Sequence, residues 1–143
     1  MKSKLACAII VALTAFGLSS GSRGGDVADE LSTIKINALD ASASEVPVTD
    51  TGRFRVNRIG GDNSADLTVS YDVTGTATNG LDYKVLRGTV TIRAGRSSAT
   101  IAVRPIDDSI PEPDETVIVT ILADNNYIVG SPDSATVVIH SNE

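Results

Sequence analysis

The chain has 143 residues, enough for one domain with its own core and too few for two of ordinary size. Its formal charge of −6 repels phosphate backbones and anionic lipid, and the absence of Trp with only 3% aromatic residues leaves few platforms for stacking bases or sugars. Together these values argue against a nucleic-acid partner.

The N-terminus reads as a processing segment. Lys2 and Lys4 form a basic start, residues 5–18 are almost wholly apolar, and Ser19, Ser20, Gly21 and Ser22 follow. That order predicts a secretory signal peptide over residues 1–22, because the apolar run falls short of the ~20 residues that span a bilayer. An uncleaved N-terminal anchor is the alternative, since no Ala-x-Ala box follows the apolar run. The expectation is a secreted, periplasmic or cell-surface protein, without membrane insertion once the signal is removed. Cys7, the sole cysteine, leaves with the signal, so stability without disulfides rests on the core or on a bound ion.

A polar leader over residues 23–30 precedes a domain over residues 31–143 in which apolar residues alternate with polar ones. Ile34, Ile36 and Ala38 predict a first strand, Phe54 and Val56 a second, and Leu67, Val69, Tyr71 and Val73 a third. Val90 and Ile92 predict a fourth, Ala99, Ile101 and Val103 a fifth, Val117, Val119 and Ile121 a sixth, and Ala135, Val137 and Ile139 a seventh. Turn residues separate them: Gly60 to Asn63, Gly75, Asn79-Gly80, Ala94-Gly95, Pro111 and Pro113, Asn125-Asn126, and Gly130 with Pro132. No comparable window has a helical period. The prediction is an all-β, seven-stranded antiparallel sandwich.

Successive antiparallel strands reverse direction, so the connections after the first, third, fifth and seventh strands share one pole. They carry Asp40, Glu45, Asp50, Asp82, Asp107, Asp108, Glu112, Asp114, Glu115 and Glu143. The other pole carries Asp62, Asp66 and Asp124, with Arg93 and Arg96 close by. Crowded carboxylates raise one another's pKa and strain the fold unless a cation neutralises them. Calcium suits such a set, because it accepts six to eight oxygens from separate loops in flexible geometry. Zinc and copper want His or Cys, and only His140 is on offer beyond the leader. The competing reading is a solvated acidic surface without metal.

The run from Thr89 through Ala94-Gly95-Arg96-Ser97-Ser98-Ala99-Thr100-Ile101 to Pro105-Ile106-Asp107-Asp108-Ser109-Ile110-Pro111-Glu112-Pro113-Asp114-Glu115-Thr116-Val117 resembles the Calx-beta motif. The likeness extends to Asp40-Ala41-Ser42-Ala43-Ser44-Glu45, to the Gly75 to Tyr83 segment, and to Tyr127-Ile128-Val129-Gly130-Ser131-Pro132. It implies an immunoglobulin-like sandwich, and by comparison with calcium-binding members it implies metal ligands at Glu45, Asp82, Asp107, Asp108 and Glu112, with the Ile110 carbonyl as a further oxygen. Strongly binding members end in an Asp-rich run. Here that place holds Ser141-Asn142-Glu143, which leaves Glu143 as the tail's one carboxylate side chain and implies weaker binding or fewer ions.

Enzymatic activity is not expected, and no catalytic residue is assigned. Asp107 and Asp108 are adjacent, so they point to different sides rather than dividing acid and base roles. By alternation His140 points outward as an ordinary surface histidine, Ser97 and Ser98 read as turn residues, and Tyr71 and Tyr83 as core. Lys35, Arg53, Arg55, Arg87 and Arg104 read as a solvated sheet face. The expected role is a calcium-binding module for structure, adhesion or contact with a protein partner or host surface protein. The rival is a metal-free adhesion module with a degenerate calcium site.

Overall fold

The computed structural model describes residues 30–47 and 49–142. The signal and most of the leader, together with Glu143, lie outside the described residues. Nine strands are present: β1 (Ser32–Asp40), β2 (Ser42–Ser44), β3 (Gly52–Ile59), β4 (Leu67–Thr74), β5 (Thr89–Ile92), β6 (Ser98–Val103), β7 (Glu115–Ile121), β8 (Tyr127–Val129) and β9 (Ser134–His140). They form two sheets, ordered β6-β3-β1-β8 and β2-β9-β7-β4-β5, and no helix occurs among the described residues.

The all-β expectation agrees with this, and the seven predicted strands are β1, β3, β4, β5, β6, β7 and β9. The strand count and the purely antiparallel arrangement are corrected. Two three-residue strands were not predicted, and both pair in parallel: β8 along β1, and β2 along β9. Their brevity explains the omission. In β2 only Ala43 points inward and in β8 only Tyr127 is buried, so neither completes a repeat of alternation. Ser98 also opens β6 instead of belonging to the turn before it.

The core is the alternation made solid. Ile34, Ile36, Phe54, Val56, Val69, Val103, Val117, Val119 and Val137 have no solvent exposure, and Tyr71 and Tyr83 are buried with them. Each fully buried side chain of this size removes enough apolar surface from water to contribute about 1.5–3 kcal/mol. Tyr127 also spends its hydroxyl at the far end, donating to Leu122 O at 2.8 Å while accepting from Ser70 N at 3.1 Å.

The feature that builds the acidic pole is a strand that changes sheets. Pairing of β1 with β3 shifts register between Ala38 and Asp40, the mark of a bulge that bends the chain. Past Ala41, whose carbonyl accepts from Val138 N at 2.9 Å, the chain continues as β2 beside β9 in the opposite sheet. Glu45 therefore emerges next to the end of β9, its N–H bonded to His140 O at 3.2 Å.

Candidate metal site

Two further connections are fixed around Glu45. The β4–β5 connection leaves the sheet at Gly75, whose φ of +122° suits glycine. It is clasped to the start of β7 by reciprocal bonds: Thr116 N donates to Thr76 Oγ1 at 2.9 Å, and Thr76 N donates to Thr116 Oγ1 at 3.1 Å. A tight turn follows, in which Leu81 N and Asp82 N both donate to Thr78 O at 3.1 Å. Asn79 closes the loop by bonding both backbone groups of Leu86, at 3.1 and 2.9 Å. The buried Tyr83, the Lys84 N to Arg104 O bond and the Ile106 N to Asp82 O bond, each bond 2.9 Å, dock it on the β6–β7 connection. Asp82 thereby sits beside the first residue of β7.

The β6–β7 connection supplies the rest. Asp108 Oδ1 accepts from Ile110 N at 2.7 Å in a local Asx turn, and Asp107 Oδ1 accepts from Asn142 Nδ2 at 3.0 Å. Carboxylate oxygens of Asp82, Glu112 and Glu115 all lie within 4.8 Å of one another. Glu45 is only 5% exposed, and its Oε2 is buried without a hydrogen-bond partner.

The electrostatic consequence is visible in two acids. Burial pushes the Glu45 carboxyl above its usual range; the Asn142 backbone N–H works against this, and the charges of Asp108, Glu112 and Asp107 add to it. Glu115 is pushed up to about 7, by burial first, then by a hydrogen bond shared with Asp82 and by the charges of Asp82, Glu112 and Glu45. A carboxyl that must hold its proton near neutrality lacks a positive neighbour.

Of the predicted ligands, Glu45, Asp82, Asp107, Asp108 and Glu112 are gathered at this pole, and Asp82 and Glu112 belong to the tightest group. Ile110 is in the same connection, its N–H engaged with Asp108 and its side chain exposed. Glu143 lies outside the described residues. Glu115 is among the acids that the sequence sorts to this pole but not among the expected ligands, although it carries a signal: it shares parity with Val117 and Val119, so alternation points it inward at the mouth of the sandwich. His140, expected as an ordinary surface histidine, is partly exposed, and its Nδ1 lies 2.7 Å from Asp114 Oδ2.

The donors fit a hard divalent cation. Two oxygens that each lie 2.3–2.6 Å from one calcium ion are at most about 5 Å apart, which the closest trio satisfies. An orphaned, buried carboxylate oxygen is a polar atom that needs a partner. The set is all oxygen, without Cys, and the lone His is engaged elsewhere.

Fold and site together define a β-sandwich module with an oxygen-lined acidic pole. The Calx-beta domain model matches residues 28–143, and the chain belongs to that family. No curated protein matches it. Among solved structures it is similar to the apo-form Calx CBD1 domain, with 24% identity over 80% of this chain and 100% of that one and a TM-score of 0.63. It is also similar to the calcium binding domain CBD12 of CALX1.1, with 24% identity, 75% of this chain and 44% of that one, and a TM-score of 0.59. The Calx CBD2 domain is 18% identical over 78% of this chain and 87% of that one, with a TM-score of 0.55. These likenesses speak for the fold.

Proposed function

We propose that this protein is an exported calcium-binding β-sandwich module, in which the ion ties four segments together and stiffens one pole for a structural or adhesive contact. The observation that carries the reading is the buried, unpartnered Oε2 of Glu45, surrounded by acids instead of cations. Glu45, Asp82, Glu112 and Glu115 would form the inner ligand set, with Asp107 and Asp108 beside them. When bound, the ion would supply two positive charges, which would favour the ionised form of Glu115. Support for export comes from the basic and apolar segment over residues 1–22, and for the adhesive role from the family resemblance.

Ion binding then becomes folding free energy, since unfolding scatters the ligands. At a hundred times its dissociation constant calcium stabilises by about 2.7 kcal/mol, a rise of roughly 10 °C in Tm for a domain of this size. Melting in calcium and then in chelator tests this: the rise should appear in calcium and shrink in Asp107→Asn or Asp108→Asn. An unchanged midpoint would instead favour the metal-free adhesion module.

A further inference from the structure

Among the described residues the four most exposed large apolar side chains are Leu81 at 68%, Val85 at 64%, Ile110 at 57% and Val46 at 53%. All four belong to the acid-bearing segments. Val46 follows Glu45, Leu81 precedes Asp82, and Ile110 sits between Asp108 and Glu112. Scattered surface aliphatics are ordinary, but a group gathered at one end and rimmed by polar groups marks a contact surface.

The exposure is not that of a loose loop. Leu81 N is bonded to Thr78 O, Asn79 clamps Leu86, and Val85 packs so near Gly80 that a Cβ there would stand 3.1 Å from Val85 Cγ2. Leu81 and Val85 are held out in water by a braced segment.

Beside them is positive charge. Lys84 and Arg104, joined through their backbones, are both exposed and flank a shallow groove with Pro105, Ile106 and Asp107. Neither forms an ion pair among the described residues. The tips are branched aliphatics, without the Tyr and Trp anchors typical of protein interfaces, and Tyr71, Tyr83 and Tyr127 are all buried.

We propose that the acidic pole docks on an anionic phospholipid surface when its ion is bound, with Leu81 and Val85 entering the headgroup layer and Lys84 and Arg104 meeting lipid phosphate. The proposal rests on the calcium reading above. Without the ion, Glu45, Asp82, Asp107, Asp108, Glu112 and Glu115 repel such a surface; a doubly charged ion offsets two of those six charges at the point of contact. The aliphatic tips and the two cations then act together, as apolar burial and basic charge do in other peripheral proteins. The same residues that forbid anionic lipid in chelator would permit it in calcium.

The test is co-sedimentation of the purified protein with vesicles of equal parts phosphatidylcholine and phosphatidylglycerol, in calcium and in chelator, with calcium calorimetry on the same samples. The protein should pellet in calcium only, and not with phosphatidylcholine alone. The double variant Leu81→Ser with Val85→Ser should bind calcium normally while losing about tenfold or more in vesicle affinity. A second variant, Lys84→Glu with Arg104→Glu, should likewise stay in the supernatant. A calcium-saturated protein that fails to pellet overturns the lipid proposal and leaves the calcium reading intact; no calcium heat and no pelleting overturns both. Calcium-dependent self-association without pelleting assigns the tips to a second copy of the chain and also overturns it.

Discussion

The two poles of the sandwich are both acidic, yet only one of them leaves acids, Glu45 and Glu115, facing other carboxylates. At the pole of the β3–β4 and β5–β6 turns, Asp62, Asp66 and Asp124 each have donors of their own. Asp62 accepts from Ser64 N at 2.9 Å and Ser64 Oγ at 2.8 Å, and these bonds, with Arg58 adding a smaller effect, hold its pKa below the usual range. Asp66 accepts from Ala94 N at 2.8 Å and Arg93 Nη1 at 3.2 Å, and Asp124 from Asn126 N at 2.8 Å. At the other pole Glu45 and Glu115 face carboxylates and their pKa values rise. A short turn that offers its N–H two residues on can satisfy an Asp alone, as it does for Asp62, Asp124 and also Asp108; Glu45 and Glu115, converging from separate segments, are not satisfied that way and leave room for a cation.

The largest effect that would break this contrast is backbone damage at the acidic pole. A Cβ at Gly75 would overlap the Thr116 carbonyl oxygen, at a φ of +122°. Gly75→Ala should cost on the order of 3 kcal/mol in urea unfolding and abolish the calcium response, because the Thr76–Thr116 clasp that seats Asp82 beside Glu115 is lost. Gly60→Ala in the opposite turn, with φ of +67° and open space around it, should cost only about 1 kcal/mol and leave the calcium response alone.

The pH dependence should separate the poles next. Glu115 ionises near 4.5 when unfolded and at about 7 when folded, so the folded chain binds more protons across that window and stability falls as pH rises through it. In chelator that fall should be on the order of 1–2 kcal/mol after allowance for solvent screening, read from urea midpoints, and calcium should remove it. Asp62 has the opposite sign: its pKa is depressed from 3.8, so its contribution is present above that value and lost as pH falls further.

The smallest effects are single charges. Glu115→Gln should raise the chelator midpoint at alkaline pH, by up to about 1 kcal/mol, while removing the calcium-induced rise. Asp66→Asn should lower stability by about 0.5–1 kcal/mol with the calcium rise preserved. A like sign for both variants would erase the distinction between the poles.

Much of this was legible in the residues. Period-two alternation locates the seven longer strands, and strand parity sorts Glu45, Asp82 and the 107–112 acids to one end. What escaped had physical causes. Three residues cannot display a period, so β2 and β8 were missed, and with them the change of sheets that brings Glu45 against His140. Glu115 opens a strand, where its parity mattered more than its place in a loop. The bond between His140 and Asp114 joins residues 26 apart in sequence, which alternation alone does not reveal.

Calorimetric titration of calcium at pH 7, repeated in buffers of different ionisation enthalpy, is the most direct check of the metal centre. Because burial and the neighbouring carboxylates raise the Glu115 pKa to about 7, binding should be saturable and should release protons, a release that Glu115→Gln diminishes. The absence of saturable heat, or binding left unchanged by Glu45→Gln and by Glu115→Gln, would contradict the account.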